Sequence, residues 1–414
     1  MNTKYRVLRP AYLRQLEPYI DTEQVKVLQG VRRCGKSTIL DMLRTTLLER
    51  GIPQRNIIHR RFDEFGLPQH ITAQHLTEDL TAAFAASDPD VNRYVFLDEI
   101  QEVEDWETVV RGLHTTQGID VYITGSNAHF LSSDLATLLA GRTIAFDIYP
   151  LSFAEYREFT AQRDPSQTRS NDELFADYLR FGGMPSLFSL RSMDEDGITR
   201  ELSSIYNTVI LKDVAERLGI RDIALLNRLV AYLFSTSGNL FSTRKVVGAL
   251  VSSGRRTTSE TVESYIEALR QAYILHEAPQ FGLQGKQTLN PLRKFYAVDT
   301  GLRNMSTGFS TNDLGFQLEN VVYNELLRRG WRVSVGTLRS GKEIDFIATK
   351  LDEREYIQVT ETILDETTRK RELAAFQELH DAFPKTLLTL DRYRTGITED
   401  GIRIINVVDW LLDK

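Results

Sequence analysis

The sequence predicts an α/β protein whose N-terminal part is a parallel sheet covered by helices. Residues 24–29 form a predicted strand, followed by a glycine-bearing turn and an apolar run with helical spacing. Two further apolar strands, at 93–97 and 120–124, each end in polar residues. Helical patterns at 76–86 and 106–113 alternate with these strands, which indicates a parallel sheet with helices on both faces.

The rest of the chain changes pattern after Pro150. A length of 414 residues predicts two or three domains. Three helical patterns between 222 and 276, followed by a strand, predict a winged helix-turn-helix, and a helix at 316–329 precedes alternating strands. The expected divisions are a sheet domain at 1–150, a helical lid or linker at 151–220, the winged helix at 221–289 and a last α/β domain at 290–414.

Composition excludes several classes of protein. A single cysteine, Cys34, rules out a disulfide within the chain and fits a reducing compartment. The first ten residues lack the apolar core of a signal peptide, and no apolar run approaches the roughly 20 residues of a membrane span. The expectation is a cytoplasmic protein without a membrane partner. The net charge of −7 disfavours nucleic-acid binding by the whole surface.

Residues 30–37 match the complete P-loop pattern between a strand and a helix. Glycines let backbone N–H groups turn toward phosphate oxygens, and the helix that follows adds the positive end of its dipole. Lys36 can reach the β- and γ-phosphates, and Ser37 can bind Mg²⁺. The alternative is a chance glycine-rich turn. The predicted cofactors are ATP and Mg²⁺, and the predicted nucleotide-binding residues are Gly30, Arg33, Cys34, Gly35, Lys36, Ser37, Thr38, Asp98 and Ser126.

Asp98 and Glu99 follow the fully apolar strand that begins at residue 94. Ligands of open α/β sheets bind beyond the carboxyl ends of the strands, so Asp98 is expected near the metal and Glu99 near the attacking water. Glu99 as general base would contribute on the order of 10²–10⁴-fold in rate. A solvated turn, the alternative, does not explain why both acids end an apolar strand.

Two more positions are candidates for catalysis. The strand at 120–124 leads into Ser126 and Asn127, either of which can contact the γ-phosphate or the water, although both residue types also favour helix caps. Arg142 follows the predicted sheet core and is a candidate arginine finger, a role worth roughly 10³–10⁵ in turnover. The alternative for Arg142 is an ordinary surface or ion-paired arginine.

Several motifs occur together along the chain. They are 30–37, Leu-Asp-Glu-Ile-Gln at 97–101, Thr-Gly-Ser-Asn at 124–127, Leu-Ala-Gly-Arg at 139–142, Phe-Gly-Gly-Met-Pro at 181–185, Val-Asp-Thr-Gly-Leu-Arg-Asn at 298–304 and Leu-Glu-Asn-Val-Val-Tyr-Asn-Glu-Leu at 318–326. The set resembles a large prokaryotic family of AAA-type (AAA+) ATPases with a C-terminal restriction-endonuclease-like domain. The resemblance implies an AAA+ core, a winged-helix middle and a nuclease-like end. In AAA+ proteins the arginine finger usually comes from the next subunit, so a homo-oligomer is expected.

The resemblance directs attention to a possible second site at Glu319, Asp345 and Gln358. Restriction-like nucleases hold Mg²⁺ with carboxylates and use a lysine beside the water. Thr360 stands where that lysine is expected, and Lys342 or Lys370 could substitute for it. A degenerate nuclease fold kept for binding is therefore favoured over a working nuclease.

A basic cluster suggests DNA binding, because phosphate contacts dominate DNA affinity. Glu260, Glu263 and Glu267 on the candidate recognition helix are the contrary signal. The favoured hypothesis is an oligomeric ATP-driven motor or remodeller that binds duplex or branched DNA. The alternatives are a nucleotide-controlled signalling or defence switch and an ATP-gated nuclease. The predicted DNA-binding residues are Arg244, Lys245, Arg255, Arg256, Lys286 and Lys294.

Overall fold

The computed structural model describes residues 8–64, 70–126, 141–282, 292–309, 314–338 and 340–413. Its chain divides into two compact units, one of residues 1–149 with 271–273 and one of residues 150–270 with 274–414. Within the described residues, no helix is long and apolar enough to cross a membrane.

The first unit is built on a five-stranded parallel sheet. Its strands, in the order β2-β3-β4-β1-β5 across the sheet, are β1 Val25–Gln29, β2 Ile57–Arg61, β3 Arg93–Asp98, β4 Ile119–Gly125 and β5 Thr143–Asp147. The helices are α1 Pro10–Leu16, α2 Lys36–Glu49, α3 Ala73–Ala86 and α4 Trp106–His114. Ile71–Thr72 and Val103–Glu104 form a small parallel pair beside them. The predicted parallel sheet is confirmed.

The register of this sheet positions the site. Strand β4 lies between β1 and β3, with Gln29 opposite Gly125 and Leu97 opposite Ile123. All five strands are parallel, so their carboxyl ends share one edge. The three central strands β1, β3 and β4 contribute buried valines, Val27, Val95 and Val121, to one core cluster.

The second unit begins with helices. They are α5 Phe153–Arg163, α6 Asn171–Phe181, α7 Glu195–Thr208 with a π-helical continuation at Val209–Glu216, α8 Ile223–Ser235, α9 Thr243–Ser252 and α10 Ser259–Gln271. Ser152 and Ser170 cap α5 and α6 through complete capping boxes with Glu155 and Glu173, so both helix starts are encoded locally.

An eight-stranded mixed sheet follows. Its strands are β6 Leu275–Gly282, β7 Arg293–Ala297, β8 Arg332–Thr337, β9 Glu343–Lys350, β10 Glu353–Thr360, β11 Lys385–Thr389, β12 Gly396–Ile397 and β13 Arg403–Asn406, in the spatial order β12-β13-β11-β10-β9-β8-β6-β7. The accompanying helices are α11 Thr300–Thr307, α12 Leu314–Arg328, α13 Glu366–Phe376 and α14 Val407–Leu412. The hairpin after the three helices, β6–β7, thus belongs to the C-terminal sheet through the parallel pairing of β6 with β8.

Candidate nucleotide and metal site

The loop between β1 and α2 has the backbone geometry of a phosphate cradle. Gly30 has φ 149° and Gly35 has φ 104°, values that side-chain-bearing residues rarely adopt. A Cβ atom at Gly30 would also collide with the carbonyl oxygen of Ile148. Helix α2 begins directly after Gly35, so its unpaired N–H groups point toward the space that the loop encloses.

Lys36 is buried and turns back into the loop. Its Nζ donates to the Gly30 carbonyl oxygen at 3.0 Å and lies 3.7 Å from Oε1 of Glu99. Only 3% of the residue is exposed. A buried ammonium among backbone carbonyls and one carboxylate is placed to meet a phosphate oxygen in the same space.

Asp98 and Glu99 lie at the carboxyl end of β3, and Thr124 of β4 joins them. Thr124 Oγ1 donates to Asp98 Oδ1 at 2.5 Å and accepts from the Glu99 backbone N–H at 2.9 Å. Glu99 adopts a left-handed backbone with φ 54°, which turns its side chain out of the strand direction. The Gln101 amide donates to Glu99 Oε2. The two acids are therefore held in fixed and different orientations.

The two carboxylates have opposite pKa shifts. Burial raises the pKa of Asp98, although hydrogen bonds from Ser37 and Thr124 oppose that rise. Burial alone would also raise the pKa of Glu99, but the Lys36 ammonium, the Gln101 amide and Arg32 hold it below its usual range. Glu99 is therefore ionised at neutral pH, as a proton acceptor must be.

The residues around Asp98 fit a magnesium ion. Asp98 is fully buried, and its Oδ2 atom has no hydrogen-bond partner, with the Arg61 Nε atom 3.5 Å away as an ion-pair partner. The Ser37 hydroxyl hydrogen-bonds to the same carboxylate. A hydroxyl and a carboxylate are hard oxygen donors, the type that Mg²⁺ prefers. Ser37 and Asp98 are the residues that would hold the ion.

The structure brings together most of the predicted nucleotide-site residues, namely Gly30, Gly35, Lys36, Ser37, Asp98, Glu99 and Ser126, whose hydroxyl lowers the pKa of Glu99. Cys34 is buried in the loop, Arg33 is exposed at φ 65°, and Thr38 is half-buried on α2. Asn127 lies outside the described residues. Arg142 lies just before the amino end of β5, whereas the phosphate loop lies at the carboxyl ends of the strands.

Two residues that support the site were not predicted from the sequence. One is Thr124, whose hydroxyl links the two acids. The other is Arg9, which is 1% exposed and donates to the carbonyl oxygens of Cys34 and Tyr149, both at 2.9 Å. Nothing in the local sequence around Arg9, apart from Pro10 after it, distinguishes it from a surface arginine. A single arginine does not predict a buried side chain that binds backbone carbonyl oxygens.

Comparison with known proteins assigns the chain to a family. A family model described as an AAA domain matches residues 22–157, and a model of a domain of unknown function matches residues 172–313. An uncharacterized protein of Haemophilus influenzae is 38% identical over 410 residues, covering 99% of this chain and 100% of that protein. This chain belongs to the same family as that protein, and it carries an AAA domain at residues 22–157.

Other members and a solved structure support the same fold. MJ1544 of Methanocaldococcus jannaschii, an uncharacterized protein, is 30% identical over 374 residues, covering 88% of this chain and 80% of that protein. The solved Walker-type ATPase PABY2304 of Pyrococcus abyssi is similar in fold, with a TM-score of 0.50 and 17% identity, covering 72% of this chain and 95% of that chain. The chain therefore shares its fold with a Walker-type ATPase, in agreement with the AAA domain at residues 22–157.

The candidate C-terminal acids lie close together around a lysine that was not predicted to be there. Glu319, Asp345 and Gln358 lie close together, and Lys294 Nζ is 3.2 Å from Glu319 Oε1 and 3.9 Å from Asp345 Oδ1. Lys342, one expected substitute for the missing lysine, instead pairs with Glu378 at 3.0 Å.

The predicted DNA-binding residues have mixed outcomes. Arg244, Lys245 and Arg256 are exposed on α9 and the loop after it, whereas Arg255 is half-buried and 3.4 Å from Asp222. Lys286 lies outside the described residues. Lys294 is corrected: it is 3% exposed and bound to carboxylates, so it cannot lie on a DNA-facing surface. The strand pleat explains the error, because neighbouring residues Arg293 and Lys294 point to opposite faces of the sheet.

Proposed function

We propose that this protein is a Mg²⁺-dependent ATPase that uses ATP turnover to act on DNA. The ATPase part rests above all on one observation. Lys36 from the phosphate loop and Glu99 from the neighbouring acid pair lie 3.7 Å apart at one edge of the sheet, with Asp98 joined to Ser37 beside them. This edge has a donor-lined cradle for phosphate, oxygen ligands for a cation and an ionised base.

Each residue has a separate role in the proposed reaction. The loop N–H groups and Lys36 bind the β- and γ-phosphates. Ser37 and Asp98 hold Mg²⁺, which supplies charge neutralisation at the phosphate oxygens when it is bound. Glu99 orients the attacking water and takes its proton, while Gln101 and Thr124 fix the orientation of Glu99.

The test of the ATPase proposal separates binding from hydrolysis. Lys36→Ala is expected to lose nucleotide binding, and Glu99→Gln is expected to keep it while kcat falls by about 10²–10⁴-fold. Binding is measured with a fluorescent ATP analogue and hydrolysis by phosphate release. Glu102→Gln, on an exposed acid three residues away, is the matched control. Normal turnover by Glu99→Gln would disprove the role of Glu99 as base.

The DNA part of the proposal rests on the exposed basic residues of α9 and the loop after it. Arg244, Lys245 and Arg256 carry charge into solvent. Part of the negative charge on α10 is neutralised within the protein, because Glu263 pairs with Arg293 of β7 and accepts a hydrogen bond from Thr243. One of the three glutamates is therefore directed at the molecule itself and offers less repulsion to a phosphate backbone.

The test of DNA binding is fluorescence anisotropy with duplex, forked and single-stranded DNA across a salt series. The triple variant Arg244→Ala, Lys245→Ala and Arg256→Ala is expected to bind DNA more weakly. The slope of its log affinity against log salt concentration is expected to be shallower, by an amount that corresponds to the loss of up to three phosphate contacts. Arg332→Ala, at an exposed arginine on β8, is the control. No binding by the wild-type protein would instead favour the hypothesis of a nucleotide-controlled switch.

A further inference from the structure

A cluster of carboxylates in the C-terminal sheet surrounds one ammonium group. Glu319 comes from α12, Glu343 and Asp345 come from one face of β9, and Lys294 comes from β7. Lys294 Nζ lies 3.2 Å from Glu319 Oε1, 3.3 Å from Glu343 Oε2 and 3.9 Å from Asp345 Oδ1. Three separate elements thus place one cation between three anions.

The inner part of this cluster is sealed by further hydrogen bonds. The Tyr296 hydroxyl donates to the same Glu319 oxygen at 2.6 Å. The Val359 backbone N–H donates to Asp345 Oδ2 at 2.9 Å. A Cβ atom at Gly238 would lie 2.7 Å from Glu319 Oε2, so the backbone packs directly against that carboxylate.

Gln358, the remaining expected ligand, is occupied at both ends. Its carbonyl oxygen accepts from the Asp345 backbone N–H at 2.6 Å, and its amide donates to Glu372 at 3.2 Å. Gln358 therefore ties β9 to β10 and α13, and its oxygen points at backbone.

The restriction-endonuclease-like resemblance implies Mg²⁺ at this place, and the arrangement does not fit it. The oxygen donors are of the right chemical type. However, the ammonium of Lys294 lies among the carboxylates that would have to share the ion. Across the described ranges, no group of three or more His, Cys, Asp or Glu side chains is arranged to hold a metal ion.

We infer that Lys294 is the resident cation of the Glu319–Glu343–Asp345 cluster and takes the place of a divalent metal ion, so that the C-terminal domain does not cleave nucleic acid. Lys294 Nζ lies 3.2–3.9 Å from an oxygen of each of the three carboxylates, in the space that a shared metal ion would have to occupy.

The inference is tested by electron paramagnetic resonance titration of the full chain with Mn²⁺ alone, without nucleotide. The wild-type protein and Asp345→Asn are expected to give the same titration. Lys294→Met is expected to gain one Mn²⁺ site per chain and to be stabilised against heat by Mn²⁺. The double variant Lys294→Met with Asp345→Asn loses both effects, and Lys350→Met, on an exposed lysine of β9, shows neither.

Two results overturn the inference. One is a stoichiometric Mn²⁺ site in the wild-type chain that Asp345→Asn removes and Asp98→Asn leaves intact. The other is a folded Lys294→Met protein that gains no site. If Lys294→Met does not fold, the comparison of wild type with Asp345→Asn decides alone: equal titrations support the inference and unequal ones refute it.

A cleavage assay gives a second readout that does not depend on Mn²⁺ affinity. Plasmid DNA incubated with the wild-type chain and Mn²⁺ is expected to stay uncut. Nicking that disappears in Asp345→Asn but persists in Lys36→Ala would overturn the inference. Since Lys36→Ala removes only ATP binding, failure here is distinguishable from failure of the proposed ATPase.

Discussion

The hydroxyl of Thr124 contacts both acids of the β3 edge, but in opposite senses. It gives its proton to the Asp98 carboxylate and receives the Glu99 backbone N–H. A single hydroxyl therefore fixes the proposed metal ligand and the start of the turn that aims the proposed base. Ser and Thr can do this because their oxygen is both a donor and an acceptor.

Thr124→Val keeps the shape of this residue and removes both hydrogen bonds. Each loss leaves a buried polar group unpaired, at about 1–3 kcal/mol, so kcat is expected to fall by about tenfold or more. Thr124→Ser keeps the hydroxyl and is expected to stay within a few-fold of wild type. Phosphate release and thermal unfolding are measured in parallel. A Val variant with the wild-type kcat would show that the bridge does not position the acids.

The candidate site residues that can be predicted are those that lie close together in the sequence. Gly30, Lys36 and Ser37 lie within eight consecutive residues, and Asp98 and Glu99 end one apolar strand, so sequence alone predicts them as candidate site residues. Arg9 and Lys294 were not assigned correctly, because their roles come from partners 25 residues away in each case, Cys34 and Glu319. Single arginines and lysines look alike in sequence whether they are solvated or buried.

At the scale of elements, the turn after α6 and the start of α11 are built around Asp299. Its Oδ2 accepts from the Gly183 backbone N–H at 2.6 Å, and its Oδ1 accepts from Leu302 at 3.0 Å as the helix N-cap. A Cβ atom at Gly182 would collide with the carboxylate, and one at Gly301 would collide with the Phe181 carbonyl oxygen. The motifs at 181–185 and 298–304 are therefore explained by packing against each other.

The titration of Asp299 makes the stability of the folded protein depend on pH. Burial raises its pKa to about 6, although backbone donors oppose the rise. The unfolded pKa is about 3.9, so the folded state holds the proton more tightly, and stability falls as pH rises from about 4 to 6. Relative to Asp299→Asn, the wild-type free energy of unfolding is expected to drop by about 2 kcal/mol between pH 4.5 and pH 7.

Urea unfolding of both proteins at the two pH values measures this difference. Asp299→Asn is expected to be less stable than wild type at either pH, because its amide N–H₂ faces a backbone donor. The informative quantity is the change in the gap between the proteins. A gap that is independent of pH would show that Asp299 titrates normally in the folded state.

The elements themselves were predictable to different degrees. The first sheet could be predicted because apolar strands that alternate with helices typically form a parallel sheet covered by those helices. The eight-stranded sheet does not follow in the same way, since β6 pairs with β8 at Gln280↔Val335 and no local pattern specifies that register. Three helices followed by a strand were expected from sequence, but the pairing of that strand into the C-terminal sheet is a tertiary feature.

At the scale of the whole molecule, Arg142 lies beside the amino ends of β1 and β5, whereas the phosphate loop of the same chain follows the carboxyl end of β1. Its carbonyl accepts from Val25 N–H at 2.9 Å, and Thr143 of β5 is opposite Val25, the first residue of β1. The phosphate loop follows the last residue, Gln29, so the five residues of β1 separate them by roughly 16 Å at about 3.3 Å each. The Arg142 side chain is exposed, which leaves it available to another subunit.

An arginine finger supplied between subunits predicts complementation. Arg142→Ala alone is expected to lose about 10³-fold or more in kcat while keeping ATP binding, and Lys36→Ala alone is expected to be inactive. Mixed in equal amounts, the two proteins are expected to recover activity, because Lys36→Ala subunits present an intact Arg142 to the intact loops of their neighbours. The mixture of Arg142→Ala with a Lys36→Ala, Arg142→Ala double variant is the control and is expected to stay inactive. If the first mixture is no more active than this control, or if sedimentation shows a monomer with and without ATP, Arg142 has no role in turnover between subunits.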